Sequence, residues 1–395
     1  MKIIGRLYCI VALTLGISLT FNSCKRMNIE WTDLSPLPAI APESVQPGVA
    51  GPFAGIHGNT LIVAGGANFP DTMPWLGGKK QYHTEIYLLR LPANGTTWSV
   101  HQNGEGLPQP VAYGASASVR AGLVCMGGET ENGITDEVYI ISVAGGKPLI
   151  TALPPLPVPL SNAASAAMGS VVYIAGGTTP AGASYSLWSL DTEDLGRGWK
   201  KLADLPLPLI NSVMVALNDK EPGLWMLGGR TRQEGDDMSL IRSEMFSYSL
   251  RDDRWQWEGD LSDGQDTLKL AAGTGIAVNG RLIALFGGND GSVFNRVEKI
   301  LSEMARESDT ALLAERRKEY ITLQEGHPGF SRDVILVDIE KKRCYKAGEI
   351  SGPAQVTTAA VETNWGTVIP SGEIKPGVRT PAVRMARFKQ ERHDR

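Results

Sequence analysis

The amino-acid sequence predicts an all-β fold, a six-bladed β-propeller, and three observations support this. An apolar strand that ends in a glycine pair occurs five times along the chain, and a degenerate copy occurs once more. Most copies follow one another at intervals of about 50 to 60 residues, close to the length of one four-stranded blade. Runs of small residues precede several copies, and small side chains suit strands that crowd around a central axis.

The strand and glycine repeat defines six predicted blades. The five glycine pairs and the degenerate copy are Gly65-Gly66, Gly127-Gly128, Gly176-Gly177, Gly228-Gly229, Gly287-Gly288 and Ser371-Gly372. A period near 50 residues is typical of kelch-type propellers. Helices are disfavoured because the apolar runs are short, β-branched and bounded by Gly and Pro. A β-sandwich would show turn signals every 8–12 residues or so, without this longer period.

The two ends of the chain are predicted to share one blade. The sixth blade has inner strands near 356–361 and 366–371 and a further strand near 381–388, but it lacks a Trp-bearing outer strand. The segment that begins Glu30-Trp31 supplies such a strand. We therefore expect the N-terminal strand to complete the C-terminal blade, which would tie down both ends and remove exposed strand edges. The propeller is predicted to span 27–395.

Residues 294–326 interrupt the repeat inside blade five, between its second and third strands. Val297, Ile300, Leu301 and Met304 recur at helical spacing there. The sequence therefore predicts a helical insertion. Two interpretations remain open, a surface hairpin without function and a cap over one mouth of the propeller axis.

The first residues have the pattern of an export signal. Lys2 and Arg6 form a basic start, and an apolar stretch too short to favour a membrane span follows. We expect 1–23 to be a signal peptide of the lipoprotein type and Cys24 to be lipidated. Plain secretion and a retained signal anchor are the alternatives. The expected location is the periplasm, with membrane contact only through the lipid anchor.

Charge and cysteine content exclude several classes of function. The formal net charge is −4, and no basic stripe indicates a nucleic-acid partner. Besides Cys24, processing would leave Cys125 and Cys344, which are widely separated in strand-like runs and form no disulfide framework. No Cys-x-x-Cys pair or histidine cluster indicates a metal site, so no metal is expected.

Polar residues follow most of the glycine pairs. Because equivalent positions of a propeller converge near one end of the axis, we expect them to surround one pocket. The residues after the pairs include Asn68, Glu129, Thr178, Arg230, Asn289, Asp290 and Glu373. Some of them, such as Thr178 and Asp290, could instead cap turns.

The run from Gly372 to Thr380 is the most unusual of the six. Its Pro376-Gly377 pair predicts a tight turn, because Pro fixes φ and Gly accepts positive φ. This turn would bring Glu373 and Arg379 together. They could form a simple ion pair. Alternatively, Arg379 could bind a substrate carboxylate while Glu373 transfers a proton.

The pattern Gly-Glu-x-Lys-Pro-Gly-x-Arg-Thr at 372–380 resembles the signature of the N-acetylneuraminate epimerases, also called sialic acid mutarotases. The resemblance covers essentially the whole mature chain. Other similar segments are Gly51-Pro-Phe-Ala-Gly-Ile56, 64–68, Lys79-Lys-Gln-Tyr82, Ala112-Tyr113-Gly114, 127–130, Gly287-Gly-Asn289 and Phe294-Asn295. In the better-known members the blade with the Glu-to-Arg run lies mid-chain, so this chain is expected to be a circular permutant. A ring with adjacent ends tolerates such a cut.

The resemblance implies a cofactor-independent isomerase that interconverts the α and β anomers of free N-acetylneuraminate. Glu373 matches the family's catalytic carboxylate, and Arg379 would hold the carboxylate of the sugar acid. Arg230, Asn68, Tyr113, Glu129 and Asn289 are weaker candidates for substrate binding, supported more by register than by motif.

Three other functions are alternatives to this one. The main one is a non-catalytic propeller that binds a glycan or a protein. A sialidase would require Ser-x-Asp-x-Gly-x-Thr-Trp boxes and three arginines, and no such box occurs. A copper oxidase would require paired histidines and a Cys-Tyr site, and neither is apparent.

Overall fold

The computed structural model describes residues 27–40, 45–92, 97–218, 222–233 and 235–390. The predicted signal peptide and Cys24 lie outside these residues. In the described part, six four-stranded antiparallel sheets follow one another along the chain. The prediction of a six-bladed propeller is confirmed.

Each blade runs from an inner strand beside the axis to an outer strand at the rim. The strands of blades one to three are Phe53–His57, Thr60–Ala64, Ile86–Arg90, Ser99–His101; Ala115–Val119, Gly122–Thr130, Gly133–Ala144, Lys147–Ala152; and Ala164–Met168, Val171–Ala175, Leu187–Asp191, Lys200–Leu202. Those of blades four to six are Val213–Leu217, Gly223–Leu227, Glu244–Ser249, Arg254–Asp260; Thr274–Ala277, Leu282–Phe286, Asp333–Asp338, Arg343–Glu349; and Val361–Thr363, Gly366–Pro370, Val383–Gln390, Met27–Leu34.

Short hairpins extend four of the blades beyond their second strands. Their paired strands are Ala67–Asn68 with Gln81–Tyr82, Thr178–Thr179 with Gly182–Ala183, Arg230–Thr231 with Leu240–Ile241, and Glu373–Lys375 with Val378–Arg379. Two 3-10 turns, Pro74–Leu76 and Leu195–Arg197, lie in connections of blades one and three. The hairpins all emerge at the same end of the axis, because each follows the second strand of its blade.

The N-terminal strand completes the C-terminal blade, as the sequence predicts. Met27–Leu34 pairs antiparallel with Val383–Gln390 over its full length. Trp31 of this strand packs edge-on against Phe286 of blade five, with 6.1 Å between ring centroids. Closure therefore combines backbone pairing inside blade six with an aromatic contact to its neighbour.

A closed belt of six backbone hydrogen bonds surrounds the axis, one from each blade to the next. The donor and acceptor pairs, with N···O distances of 2.6–3.0 Å, are Gly51 to Thr357, Thr357 to Ala272, Ala272 to Asn211, Asn211 to Asn162, Asn162 to Tyr113 and Tyr113 to Gly51. All six residues have positive φ, between 50° and 63°. Residues other than glycine adopt this conformation at a cost in free energy, so the backbone of the belt is strained. The six hydrogen bonds hold this backbone in place beneath the site.

The glycine pairs are required by the close approach of adjacent blades. In blades one to four, a Cβ on the first glycine would meet a carbonyl oxygen of the following blade. For example, it would lie 2.2 Å from Leu160 O at Gly127 and 2.2 Å from Leu209 O at Gly176. In blade six Ser371 takes this position with φ 52°. Its hydroxyl donates to the carbonyl oxygen of Val49 and accepts from the backbone nitrogen of Val49, so the side chain bonds the neighbouring backbone.

The helical insertion consists of α1 (Phe294–Arg306) and α2 (Thr310–Glu325). Asp309 caps α2 by accepting from the amides of Ala311 and Leu312. Val297 and Ile300 are buried, but Leu301, expected on the apolar face, is 43% exposed. No helix in the described ranges is long and apolar enough to cross a bilayer.

Candidate active site

A cavity of about 360 Å³ lies at the end of the axis where the hairpins emerge. Its lining comes from blades one, two, four, five and six and from the helical insertion. The belt forms its floor, because Tyr113, Asn211, Ala272 and Thr357 belong to both. A mainly apolar cavity with a few convergent polar groups is typical of a small-molecule site.

Repeated backbone bridges bring one residue of each blade to this mouth. Isolated bridges pair the residue just before each belt position with the residue just after each glycine pair. The six residues brought to the mouth in this way are Ala67, Glu129, Thr178, Arg230, Asn289 and Glu373. Of these six, Arg230, Asn289 and Glu373 line the cavity, so the expected convergence on one pocket holds for three positions.

Glu373 and Arg379 form the most buried ion pair at the cavity. Glu373 Oε1 accepts from Arg379 Nη1 at 2.8 Å and from the backbone nitrogen of Gly377 at 2.9 Å. The two residues face each other across the short hairpin that Pro376 and Gly377 close. Their side chains are 18% and 4% exposed, so both charges are largely withdrawn from water.

Burial raises the pKa of Glu373 above its ordinary value, while Arg379, the Gly377 amide and Lys80 oppose that rise. Removing a carboxylate from water disfavours its charged form, and adjacent positive groups favour it. A buried carboxylate with a raised pKa beside a cavity is a candidate proton-transfer group.

Arg379 is already engaged on three sides. Its Nε donates to Ala67 O at 3.3 Å, Nη1 to Glu373, and Nη2 to Tyr113 Oη at 3.2 Å. Its guanidinium also lies 4.9 Å from the ring centroid of Phe69. A guanidinium has five N–H donors. All three guanidinium nitrogens of Arg379 are therefore engaged, as expected for a residue that orients Glu373 and Tyr113. This geometry suits a bidentate ligand of a substrate carboxylate less well.

Lys80 is the more accessible cation beside this ion pair. Its side chain is 32% exposed, and its Nζ lies 4.7 Å from the ring centroid of Tyr113. Glu129 accepts from Lys80 Nζ at 3.4 Å and from Tyr82 Oη at 3.5 Å. Burial and the Glu129 carboxylate together raise the pKa of Tyr82 to about 12. Glu129 thus contacts and orients Lys80, but Glu129 itself does not line the cavity.

A chain of side-chain hydrogen bonds runs around the mouth from Glu129 to Arg230. Glu129 accepts from Asn162, Asn162 accepts from Asn211, and Asn211 accepts from Arg230 Nε at 3.3 Å. Arg230 lines the cavity, and burial lowers its pKa. The belt asparagines therefore connect two residues that come from different blades.

The remaining sequence candidates occupy different environments. Asn289 lines the cavity, and its Oδ1 accepts from the backbone nitrogen of Gly291 at 2.8 Å. Asn68 does not line it, because Ala67 holds the equivalent register position. Asn68 is 4% exposed, and its Nδ2 donates to Gly48 O at 3.1 Å. Asn68, like Glu129, therefore does not line the pocket, although the sequence predicts that it does.

The insertion covers part of the mouth. Phe294 and Val297 of α1, Gln324 of α2, and His327 after it line the cavity. Arg317 of α2 donates to Trp75 O at 2.7 Å, which joins the insertion to the connection of blade one. Of the two interpretations, the cap agrees with this placement.

Lys80 and His327 line the cavity but are not among the site residues that the sequence predicts. The sequence signal for Lys80 is the Lys79-Lys-Gln-Tyr82 segment, which is similar to the family. His327 carries no motif. Its Nδ1 accepts from Gly329 N at 3.0 Å, and burial, with Lys375 nearby, lowers its pKa, which favours the neutral ring.

The residues that the structure describes contain no group of three or more His, Cys, Asp or Glu side chains arranged to hold a metal ion. Cys125 and Cys344 are both buried free thiols.

Comparison with known proteins agrees with the motif. A family model described as N-acetylneuraminate epimerase matches residues 18–150 and 153–394. Proteins named N-acetylneuraminate epimerase are similar over shorter segments. The Vibrio vulnificus protein is 35% identical over 123 residues, covering 29% of this chain and 30% of the relative. The Yersinia enterocolitica protein is 35% identical over 129 residues, covering 30% and 31%.

The matched segments span about 30% of the length of these relatives. A solved structure described as the structure of YjhT is 15% identical, has a TM-score of 0.60, and covers 92% of this chain and 98% of its own. That likeness supports the fold alone. Because the family model matches nearly the whole described propeller, this chain belongs to the N-acetylneuraminate epimerase family.

Proposed function

We propose that this protein interconverts the α and β anomers of free N-acetylneuraminate by opening and closing the sugar ring. The observation that carries the proposal is the Glu373 carboxylate, which lines the axial cavity, is withdrawn from water and is oriented by Arg379. Family membership and the names of the similar proteins supply the substrate class.

The ring form of a 2-keto sugar acid is a hemiketal. Opening requires a base that removes the proton of the anomeric hydroxyl and an acid that protonates the ring oxygen. Glu373 would serve as the base, and its raised pKa makes it a better proton acceptor than an ordinary carboxylate. Rotation about the bond beside the carbonyl, followed by closure on the opposite face, gives the other anomer.

The carboxylate of the substrate needs a cation close to the anomeric carbon. Lys80 fits this role because it lines the cavity, is partly exposed and lowers the pKa of Glu373 through its charge. Arg379 is less available, since each of its three nitrogens already donates to a protein group and its side chain is only 4% exposed. We therefore propose Lys80 as the main carboxylate ligand, with Arg379 contributing positive charge.

Anomer exchange tests the proposal directly. Sialic acid released by a retaining sialidase starts as the α anomer, and ¹H NMR follows its conversion to the β anomer. We expect the exchange rate to rise in proportion to protein concentration. A non-catalytic glycan-binding propeller would leave the spontaneous rate unchanged, and that result would refute the enzymatic function.

Export and lipid attachment form a separate part of the proposal. We propose that the signal at 1–23 directs the enzyme to the periplasm and that lipidated Cys24 anchors it there, which the basic and apolar pattern of the first residues supports. Fractionation of cells that express the full chain tests this. Cys24→Ser should move the protein from the membrane fraction to the soluble periplasm, or leave its precursor unprocessed. An unchanged mature protein in the membrane fraction would contradict lipid attachment.

A further inference from the structure

Ring opening needs an acid as well as a base, and Glu373 accounts only for the base. The anomeric hydroxyl and the ring oxygen are bonded to the same carbon. The acid and the base must therefore both reach the immediate surroundings of that carbon. The inference below rests on the proposed function, because it assigns the second half of that reaction.

One guanidinium holds two oxygen groups side by side at the cavity. Arg379 Nη1 donates to Glu373 Oε1 at 2.8 Å, and Nη2 donates to Tyr113 Oη at 3.2 Å. The guanidinium is planar, and its donors form a rigid fork. Its Nε bond to Ala67 O restrains rotation of the fork. The carboxylate and the phenol are consequently set as neighbours, an arrangement that suits proton transfer at two oxygens bonded to one carbon.

The direction of these hydrogen bonds leaves the phenol proton available. A guanidinium can only donate, so Tyr113 Oη accepts from Arg379 and its own hydrogen is free for another partner. Burial, with the nearby Glu373 carboxylate, raises the pKa of Tyr113, so the phenol stays protonated at neutral pH. Tyr113 also lines the cavity.

Two further contacts act on Tyr113. The first holds its backbone in place, and the second favours the ionised phenol during the reaction. Its backbone belongs to the belt, at φ 57°, and donates to Gly51 O at 2.8 Å. The Lys80 ammonium lies 4.7 Å from its ring centroid. Together with Arg379, this cation would stabilise a transient phenolate during the reaction.

We propose that Tyr113 is the general acid of ring opening, that Glu373 is the base, and that Arg379 is the positioning residue for both. Glu373 takes the anomeric hydroxyl proton as the carbonyl bond forms. The bond between the anomeric carbon and the ring oxygen breaks, and the ring oxygen takes the Tyr113 proton. In closing, the tyrosinate removes that hydroxyl proton, the oxygen attacks the opposite carbonyl face, and protonated Glu373 returns its proton to the carbonyl oxygen.

The Tyr113→Phe variant tests this role, with Tyr185→Phe as the matched control. Tyr185 is 48% exposed and lies outside the cavity. We expect Tyr113→Phe to lower kcat for anomer exchange by roughly 10²–10³-fold, with KM within about threefold of wild type. Tyr185→Phe should match wild type. Near-UV circular dichroism and the thermal midpoint report whether each variant folds.

A proton inventory distinguishes a tyrosine that transfers a proton from one with a purely structural role. Replacing a structural tyrosine would not change the shape of the curve of kcat against D₂O fraction. In mixtures of H₂O and D₂O, the wild-type kcat should fall along a bowed curve, because two protons move in the transition state. Tyr113→Phe should give a straight line. A wild-type kcat in Tyr113→Phe, a loss confined to KM, or an unchanged bowed curve would overturn the assignment while leaving the proposed function in place. An inactive wild-type protein would overturn both.

Discussion

The backbone nitrogen of Gly51 lies 2.6 Å from the carbonyl oxygen of Thr357. This hydrogen bond joins blade one to blade six and closes the belt around the axis. The residues that follow the glycine pairs are bridged to the residues just before the belt positions. The belt therefore sets the spacing of Arg230, Asn289 and Glu373 at the cavity.

Replacing Gly51 should destabilise the propeller more than replacing a glycine of equal φ elsewhere. A Cβ on Gly51 would lie 2.5 Å from Tyr113 N, whereas a Cβ on Gly58 would meet nothing within 4 Å. Their φ values are 63° and 57°. We expect Gly58→Ala to lower the free energy of unfolding by about 1–2 kcal/mol and Gly51→Ala by about 2–5 kcal/mol. Urea titrations measure both, and equal losses would contradict the steric role of the belt.

Much of the fold follows from local sequence signals. The glycine pairs predict the blades because their positive φ recurs from blade to blade, and in blades one to four the missing side chain allows the same close contact with the next blade. The Trp31 segment predicts ring closure, because blade six lacks an outer strand of its own. The Pro376-Gly377 turn predicts the meeting of Glu373 and Arg379. These signals are local, or repeat with the period of the fold.

The rest of the site depends on how distant segments cross the mouth. Lys80 reaches the cavity from a long connection and His327 from the segment just after the helical insertion, and no repeat fixes the path of either segment. Asn68 and Ala67 are adjacent, and only the bridge pattern shows that Ala67 holds the equivalent position. Helical spacing alone does not predict that Leu301 is exposed, because its exposure depends on which face of α1 packs against the blades.

Lys80→Met should mainly weaken substrate binding. A hydrogen bond to a charged group contributes about 1.5–3 kcal/mol, so KM should rise roughly 10–100-fold while kcat changes less. Lys79→Met is the matched control, because Lys79 is exposed and does not line the cavity. Initial rates over a range of substrate concentrations measure both constants. An unchanged KM in Lys80→Met would refute its role as carboxylate ligand.

The pH dependence of kcat/KM should report the Glu373 carboxyl group. The base must be ionised, so activity should fall as pH drops through its pKa, which burial raises above the ordinary glutamate value. Lys80 lowers this pKa, so Lys80→Met should move the acidic limb to higher pH. Lys79→Met should leave the limb in place. A limb at the ordinary glutamate value, or a shift to lower pH, would contradict this electrostatic description.

Arg379→Lys should separate charge from geometry. A lysine keeps a positive charge near Glu373 but lacks the rigid fork that also holds Tyr113. We expect kcat to fall at least about tenfold while the acidic limb moves little, because a cation still faces the carboxylate. Anomer-exchange rates measured over a range of pH give both kcat and the position of the acidic limb. Wild-type kcat in this variant would show that the fork does not position the reacting groups.

The central claim is that the Glu373 carboxylate transfers a proton during anomer exchange in the axial cavity. Paired ¹H NMR measurements of α-to-β exchange, on wild type and on Glu373→Gln, test it most directly, with Glu131→Gln as an exposed control. Wild type and Glu131→Gln should accelerate exchange equally, and a folded Glu373→Gln should be slower by about 10²–10⁴-fold. Exchange by Glu373→Gln at the wild-type rate would contradict the claim.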